Sequence, residues 1–403
     1  MTVRRRLVLF VGGFDPRGAR HYHQLFKQEC RKQSAVSGVA YDVGPRQRTA
    51  DGHSRWTVQA SVSQTAVSGP VGDSTETCVE FFDWTDIVRR HWPRSTFAVI
   101  VQSWKTYALA MRSARWLSPL LKAAPYTLLT FAYPLLFALV LLLVAGLGAW
   151  AAMVGLEQVG VSSGGQLAGA LLVVLAFGAA GWWLERQMHV TWLLRIFNFA
   201  AARSDEPELG QRLQQKAERL RDALQADRWD EVLLVGFSVG SVLGLQLADS
   251  VAELCTDQPE LTRRLSLVTL GNCIPLFALM PQAHGLRATL ERVAQARDLY
   301  WADISSPGDS VSFAMADVVG LSMRGQTGMP SDTGAVAVNP RAMRSPRFHK
   351  LFHPRSYALI RRNKMRMHMQ YLMAGELVGG YDYFELVAGS RPLHQYVKEK
   401  LIR

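Results

Sequence analysis

Cysteine is scarce in this chain of 403 residues: only Cys30, Cys78, Cys255 and Cys273 are present. They form no CxxC pair and sit beside no histidine cluster at ligand spacing, which excludes a disulfide framework and a zinc site and fits a reducing compartment. Internal repeats and long low-complexity tracts are also missing, so repeat architectures are excluded. Acidic charge is in deficit, with 33 Asp and Glu against 45 Lys and Arg and a formal net charge of +12. A leader is not expected either. Arg4, Arg5 and Arg6 precede the apolar run Leu7 to Val11, but the run is too short for a signal peptide, and Asp15, Arg17 and Arg20 stand where a small-residue cleavage site belongs. The run reads as a first strand.

Charge disappears altogether between Tyr126 and about Leu156, a segment centred on Leu135 to Val144. A span needs about 20 apolar residues, and this one exceeds that. A polar link, Glu157 to Gln166, leads to a second apolar run, Leu167 to Leu184. Together they predict a transmembrane helical hairpin with spans at about 126–150 and 167–188. Arg112, Arg115 and Lys122 precede the first span and Arg186, Arg195 and Arg203 follow the second, whereas the link has no Lys or Arg. Positive residues favour the inner side, so both soluble arms are expected in the cytoplasm and the protein in the inner (cytoplasmic) membrane. Trp150, Trp182 and Trp183 near the span ends suit interfacial anchoring or packing between the two helices. Met188 to Phe199 is amphipathic and is expected along the inner membrane surface.

Strands and helices alternate in the two arms. The strand Leu7–Val11, the glycine-rich turn Gly12-Gly13-Phe14 and a helix near Arg20 to Lys32 come first. Strand patterns recur at Thr57–Val62 and Cys78–Phe82, a helix at Asp86–Trp92, and a further apolar stretch at Phe97–Val101. After the hairpin come a helix at Glu206–Ala226 and buried strands at Glu231–Val235, Leu265–Gly271 and Leu299–Ile304. This order predicts an α/β fold: a mainly parallel sheet with helices on both faces, interrupted by the hairpin. The divisions are 1–115 for the first part of the soluble domain, 116–203 for the hairpin insertion and 204–403 for the second part.

Gly236-Phe237-Ser238-Val239-Gly240 joins the apolar strand Glu231–Val235 to the apolar helical run that starts at Ser241. A serine between glycines at a strand-to-helix turn is a nucleophile elbow: the small residues allow a bend sharp enough to lift the hydroxyl above the sheet. The order of strand, glycine-rich turn, GxSxG, a strand ending in Leu270-Gly271-Asn272, then Asp and His resembles the α/β-hydrolase fold, and its lipase and esterase branch most. The resemblance covers both soluble arms but not the hairpin. It implies a catalytic triad in the order Ser, acid, His, with Ser238 as nucleophile. Asp309, in the turn after Leu299–Ile304, is the first choice of acid and Asp303 its alternate. His368 is the first choice of base, because His368-x-x-Tyr371 resembles the lipase histidine loop, and His353 is its alternate. The amide of Val239 and that of Gly13 or Phe14 are the implied oxyanion donors. Asp15 and Arg17 are expected to brace the turn as an ion pair.

The basic excess concentrates in Arg341, Arg344, Arg347, Lys350, Arg355, Arg361, Arg362, Lys364 and Arg366, a stretch with no acidic residue. Such a surface attracts anionic lipid head groups. No nucleic-acid motif accompanies it, so nucleic acid is not an expected partner. The sequence therefore predicts a membrane-embedded serine hydrolase acting on a carboxylic ester or thioester, with a lipid or acyl substrate and no metal or organic cofactor. The alternative is an inactive membrane-anchored scaffold on the same fold.

Overall fold

The computed structural model describes residues 2–49, 52–62, 74–93, 95–112, 125–202, 206–323 and 339–401. Arg115, Lys122 and Arg203, used above for orientation, lie outside them, as does the boundary at 115/116. At the centre is a nine-stranded sheet formed by β1 (Arg5–Val11), β2 (Val39–Val43), β3 (Gln47–Arg48), β4 (Ser54–Val62), β5 (Thr75–Phe81), β6 (Glu231–Phe237), β7 (Leu265–Leu270), β8 (Tyr300–Ile304) and β9 (Ala342–Arg344). Its order is β2-β4-β5-β1-β6-β7-β8-β9, with β3 paired to β4. From β5 to β9 all neighbours are parallel, whereas β2, β3 and β4 add an antiparallel flank. The sheet is thus mostly parallel but mixed, because β4 returns directly to β5 without a crossover helix.

Both faces are covered, which is why β1, β6 and β7 read as continuous apolar runs and do not alternate. On one face Leu7, Leu9, Val232, Leu234, Leu265 and Leu267 pack against the helices Pro207–Gln225 and Gly240–Leu254. On the other, Val8, Phe10, Leu233, Val235, Val268 and Leu270 meet the helix Gly18–Ser37 and the helices near the C-terminus, Tyr383–Ala388 and Leu393–Lys400. A charged pair crosses the start of the two central strands: Arg6 and Glu231 are register partners and both are buried.

Between β5 and β6 the chain leaves the sheet for two antiparallel helices, Pro125–Gln158 and Ser163–Met188. Both are long and apolar enough to cross a membrane, and only 17% and 11% of their most apolar windows are buried within the protein. That exposure separates them from core helices. The turn between them is shorter than the predicted polar link, because Glu157 and Gln158 complete the first helix and Ser163 to Gln166 begin the second. Trp150, Trp182 and Trp183 face outward and do not pack between the helices.

The first helix enters the domain at its root. Thr127, Thr130 and Phe131 are buried there, and the run of exposed large apolar side chains begins in earnest at Leu135, just past Pro134. From Leu135 onward the helix rises roughly 1.5 Å per residue, enough for a hydrocarbon core of about 30 Å.

The expectation for Met188 to Phe199 is overturned. The helix Val190–Ala202 is not laid on a surface: Leu193, Leu194, Ile196, Phe197, Phe199 and Ala200 are all buried. Phe131 stacks on Phe197 with ring centroids 4.0 Å apart, and Phe199 stacks on Phe14 at 4.6 Å. An amphipathic pattern records that one side of a helix is covered, not by what; here protein covers it.

Candidate active site

The loops at the carboxyl ends of β1, β6 and β8 bring together Gly13 and Phe14, Ser238 and Asp309, while His368 arrives from a helix that follows β9. Ser238 directly follows β6. Its φ is +57°, a left-handed conformation that a non-glycine residue seldom holds unless its surroundings enforce it. The surroundings here are close backbones. A Cβ on Gly236 would lie 2.7 Å from Ser241 Cα and 2.8 Å from the Gly240 carbonyl oxygen, and one on Gly240 would lie 2.6 Å from the Gly12 carbonyl oxygen and run into that of Val11. Gly236 is therefore required by the packing of β6 against the start of the following helix, and Gly240 by the packing of that helix against the end of β1. Ser238 N–H donates to the Leu270 carbonyl at 2.9 Å, which ties the elbow to β7. Because no flexible side chain is available to yield, Gly240→Ala should cost about 3 kcal/mol, the upper end of the usual overpacking range. A fall in the thermal midpoint of the detergent-solubilised protein, with the elbow restored by no second-site change on a side chain, is the expected result. An unchanged midpoint would show that the turn relaxes.

His368, in the helix Lys364–Met369, comes to the serine from the C-terminal part of the chain. Its Nε2 lies 2.8 Å from Ser238 Oγ and its Nδ1 2.8 Å from Asp309 Oδ2. All three residues are at least 97% buried by area, with Ser238 at 3% exposed, His368 at 2% and Asp309 at 2%. The serine is nevertheless not sealed off: Ser238 and His368 lie in the wall of a cavity of about 260 Å³, together with Gly13, Phe14, Trp92, Trp192 and Met365. Asp309 is held by its own loop, where Oδ1 accepts the Val311 N–H at 3.1 Å and the backbone N–H donates to the Ser306 carbonyl at 2.9 Å. Tyr371, one turn after His368, meets the imidazole edge-on at 6.3 Å and accepts the Ser306 N–H at its hydroxyl, 2.7 Å away. The His-x-x-Tyr spacing thus links the histidine helix to the aspartate loop.

The two alternates are elsewhere. His353 precedes the helix Pro354–Arg362, is exposed, and donates its backbone N–H to Glu376. Asp303 is fully buried near the end of β8 and accepts from Thr269 Oγ1 at 2.6 Å, Asn272 Nδ2 at 2.9 Å and Ser305 Oγ at 2.9 Å. It organises the loop after β8 without reaching the imidazole.

Burial pushes the Asp303 carboxyl up from 3.8 to about 6, its three hydrogen bonds pulling the other way. Between those two values the folded protein holds a proton that the unfolded chain has lost. This group's contribution to stability is therefore largest below the window and declines as pH rises through it. Asp303→Asn removes that decline. Thermal midpoints of wild type and variant, measured from about pH 4 to about pH 7, should converge or cross in the variant's favour as pH rises; a constant difference would contradict the assignment.

The glycine-rich turn after β1 closes the other side. A Cβ on Gly13 would lie 3.1 Å from Ser238 Cβ, so the Gly13–Phe14 backbone runs directly past the hydroxyl. Trp84 Nε1 donates to the Gly12 carbonyl at 3.2 Å and fixes that turn. Asp15 and Arg17 form the expected ion pair at 2.6 Å, and the Tyr22 hydroxyl adds a hydrogen bond to Asp15 at 3.3 Å. Val239 immediately precedes the helix Gly240–Leu254, where first-turn amides have no carbonyl of their own helix to bond.

Sequence reasoning missed the cavity walls and one thiol. Trp192 lies 6.2 Å from the His368 ring, edge-on, and reaches the site from the helix that follows the second apolar helix. Cys273 Sγ sits 3.8 Å from Ser238 Oγ, and burial pushes its thiol up to about 12, so it stays protonated at neutral pH. Its position just past the end of β7 was the available signal. Among the described residues no group of histidine, cysteine and carboxylate side chains forms a metal site. Comparison of the chain with protein families, with curated proteins and with solved structures finds no match.

Proposed function

We propose that the protein is a serine hydrolase of α/β-hydrolase type, held in the membrane by its hairpin, that cleaves a carboxylic ester or thioester. One observation carries this reading: a single imidazole bridges Ser238 Oγ and Asp309 Oδ2 at 2.8 Å on each side. An ordinary serine hydroxyl is a poor nucleophile, and this arrangement supplies what it lacks. His368 Nε2 takes the Ser238 proton as Oγ attacks the carbonyl carbon. Asp309 keeps the imidazole proton on Nδ1 and stabilises the imidazolium that forms. The developing oxyanion meets the amides of Val239 and of Gly13 or Phe14. His368 then returns the proton to the departing alcohol or thiol, and water, deprotonated by the same imidazole, releases the acyl group from Ser238. Every proton in this cycle passes through side chains of the site.

The apolar cavity walls suit an acyl chain, and two helices apolar and long enough to cross a membrane support a substrate drawn from lipid. Arg186 and Arg195, after the second apolar helix, and the cationic stretch from Arg341 to Arg366 favour the inner membrane with the domain in the cytoplasm, facing anionic head groups. The test is a fluorophosphonate probe on the detergent-solubilised protein. Stoichiometric labelling at Ser238 supports the hydrolase; a folded protein that takes no label is a scaffold.

A further inference from the structure

The helix Thr96–Arg112 leaves Phe97, Ile100, Val101, Trp104 and Met111 exposed, Phe97 by 76% and Trp104 by 68%. Their spacing places them along one face of the helix. The opposite face is firmly occupied. Val99, Ser103 and Thr106 are buried, and Asn198 donates to the Val99 carbonyl at 3.3 Å and to Ser103 Oγ at 3.2 Å while accepting from Thr106 Oγ1 at 2.8 Å. The Tyr107 hydroxyl donates to the Phe131 carbonyl of the first apolar helix at 2.8 Å. This helix is therefore fixed to the root of the hairpin, at the level of the exposed Leu129 and one turn before Leu135. Contiguous apolar surface of this kind is rarely left to water.

The same root carries the catalytic loops. Thr127 Oγ1 donates to the Ser312 carbonyl at 2.9 Å, three residues past Asp309, and Lys364 Nζ, at the start of the histidine helix, lies 3.9 Å from the centroid of the Tyr133 ring. Of the two indoles in the cavity wall, Trp92 lies shortly before Thr96–Arg112 and Trp192 shortly after the second apolar helix.

We propose that Thr96–Arg112 is a third membrane-contacting element, lying in the lipid interface with Phe97, Ile100, Val101, Trp104 and Met111 in the bilayer, and that it holds the mouth of the cavity against the membrane so that the acyl chain arrives from lipid. The second clause rests on the hydrolase reading; the first does not. Continuity with the two apolar helices is what selects lipid as the occupant over a second copy of the chain.

The experiment uses the full chain in vesicles of phosphatidylcholine and phosphatidylglycerol. Trp104→Cys, in a Cys78→Ser background, carries an environment-sensitive fluorophore. Quenching by nitroxide on the lipid chains near the head group, with protection from aqueous iodide, is expected. Quenching by iodide alone overturns the proposal, and so does protection from both quenchers combined with cross-linking between copies. The second arm compares wild type with Phe97→Ser/Ile100→Ser/Trp104→Ser. A long-chain ester carried in the vesicles should be turned over at least about tenfold more slowly by the variant, with kcat/KM for a short water-soluble ester changed less than about twofold. Equal loss on both esters overturns the clause on acyl supply. A wild type inert toward both overturns the hydrolase reading and that clause with it, while the quenching still decides where the helix lies.

Discussion

On the proposed hydrolase reading, Ser238→Ala is expected to abolish fluorophosphonate labelling and to lower ester turnover by about three orders of magnitude or more, with the protein still folded. No neighbouring group replaces the lost oxygen. Cys273 is near enough to be considered, but its thiol is fully buried and pushed up to about 12, so it offers no thiolate at neutral pH. His368→Ala should cost as much as Ser238→Ala, and the double variant no more than either, because the proposed mechanism makes nucleophile and base one unit. Asp309→Asn should lower turnover by several orders of magnitude without disturbing the fold, since the amide leaves the wrong imidazole nitrogen protonated. Independent, additive losses would mean that the three side chains do not work together. Comparison of kcat across the four variants at saturating substrate decides the matter.

The largest expected stability effect lies at the opposite end of the central strands. Arg6 is fully buried and donates from Nε to Glu231 at 2.8 Å, from Nη1 to the Gly389 carbonyl at 2.8 Å and from Nη2 to the Arg391 carbonyl at 2.5 Å. The other carboxylate oxygen of Glu231 accepts from Ser266 Oγ at 3.1 Å and from the Leu393 N–H at 2.9 Å. This pair joins β1, β6, β7 and the C-terminal helices. Arg6→Met strands a buried carboxylate and two carbonyls, and should cost about 3–5 kcal/mol. Arg6→Met/Glu231→Leu removes both charges and should recover much of that loss, because the desolvation penalty goes with them. A thermal midpoint for Arg6→Met close to wild type would show that water reaches the site and that the pair is not buried in solution.

Some of this was legible in the chain and some was not, for definite reasons. The strands Leu7–Val11, Glu231–Val235 and Leu265–Gly271 announced themselves because a sheet covered on both faces needs uninterrupted apolar runs. The elbow was legible because its glycines answer to backbone packing, which leaves no choice of side chain. The short strands β2, β3 and β9 were not, since two to five partly exposed residues carry little pattern. Asp309 and His368 came from the order of elements and from Tyr371, while the alternates Asp303 and His353 were separable only by direction, which no one-dimensional pattern contains. The two helices flanking the hairpin were the clearest failure. Val190–Ala202 has the stronger amphipathic appearance and is buried by protein, whereas Thr96–Arg112, noticed only as an apolar stretch at Phe97–Val101, carries the exposed stripe.

The placement of the hairpin between β5 and β6 has a consequence for biosynthesis. Pairing of Arg6 with Glu231 joins segments that leave the ribosome 225 residues apart, and both apolar helices are made in the interval. Until then β1 has no β6 to rest on, and loop closure over that distance is entropically disfavoured. A translocon that accepts the hairpin as it emerges would therefore act on a half-built sheet, and Ser238 would be synthesised onto a chain already anchored. In that order of events β6 and the elbow would complete a sheet whose first strands are already held at the foot of the two apolar helices.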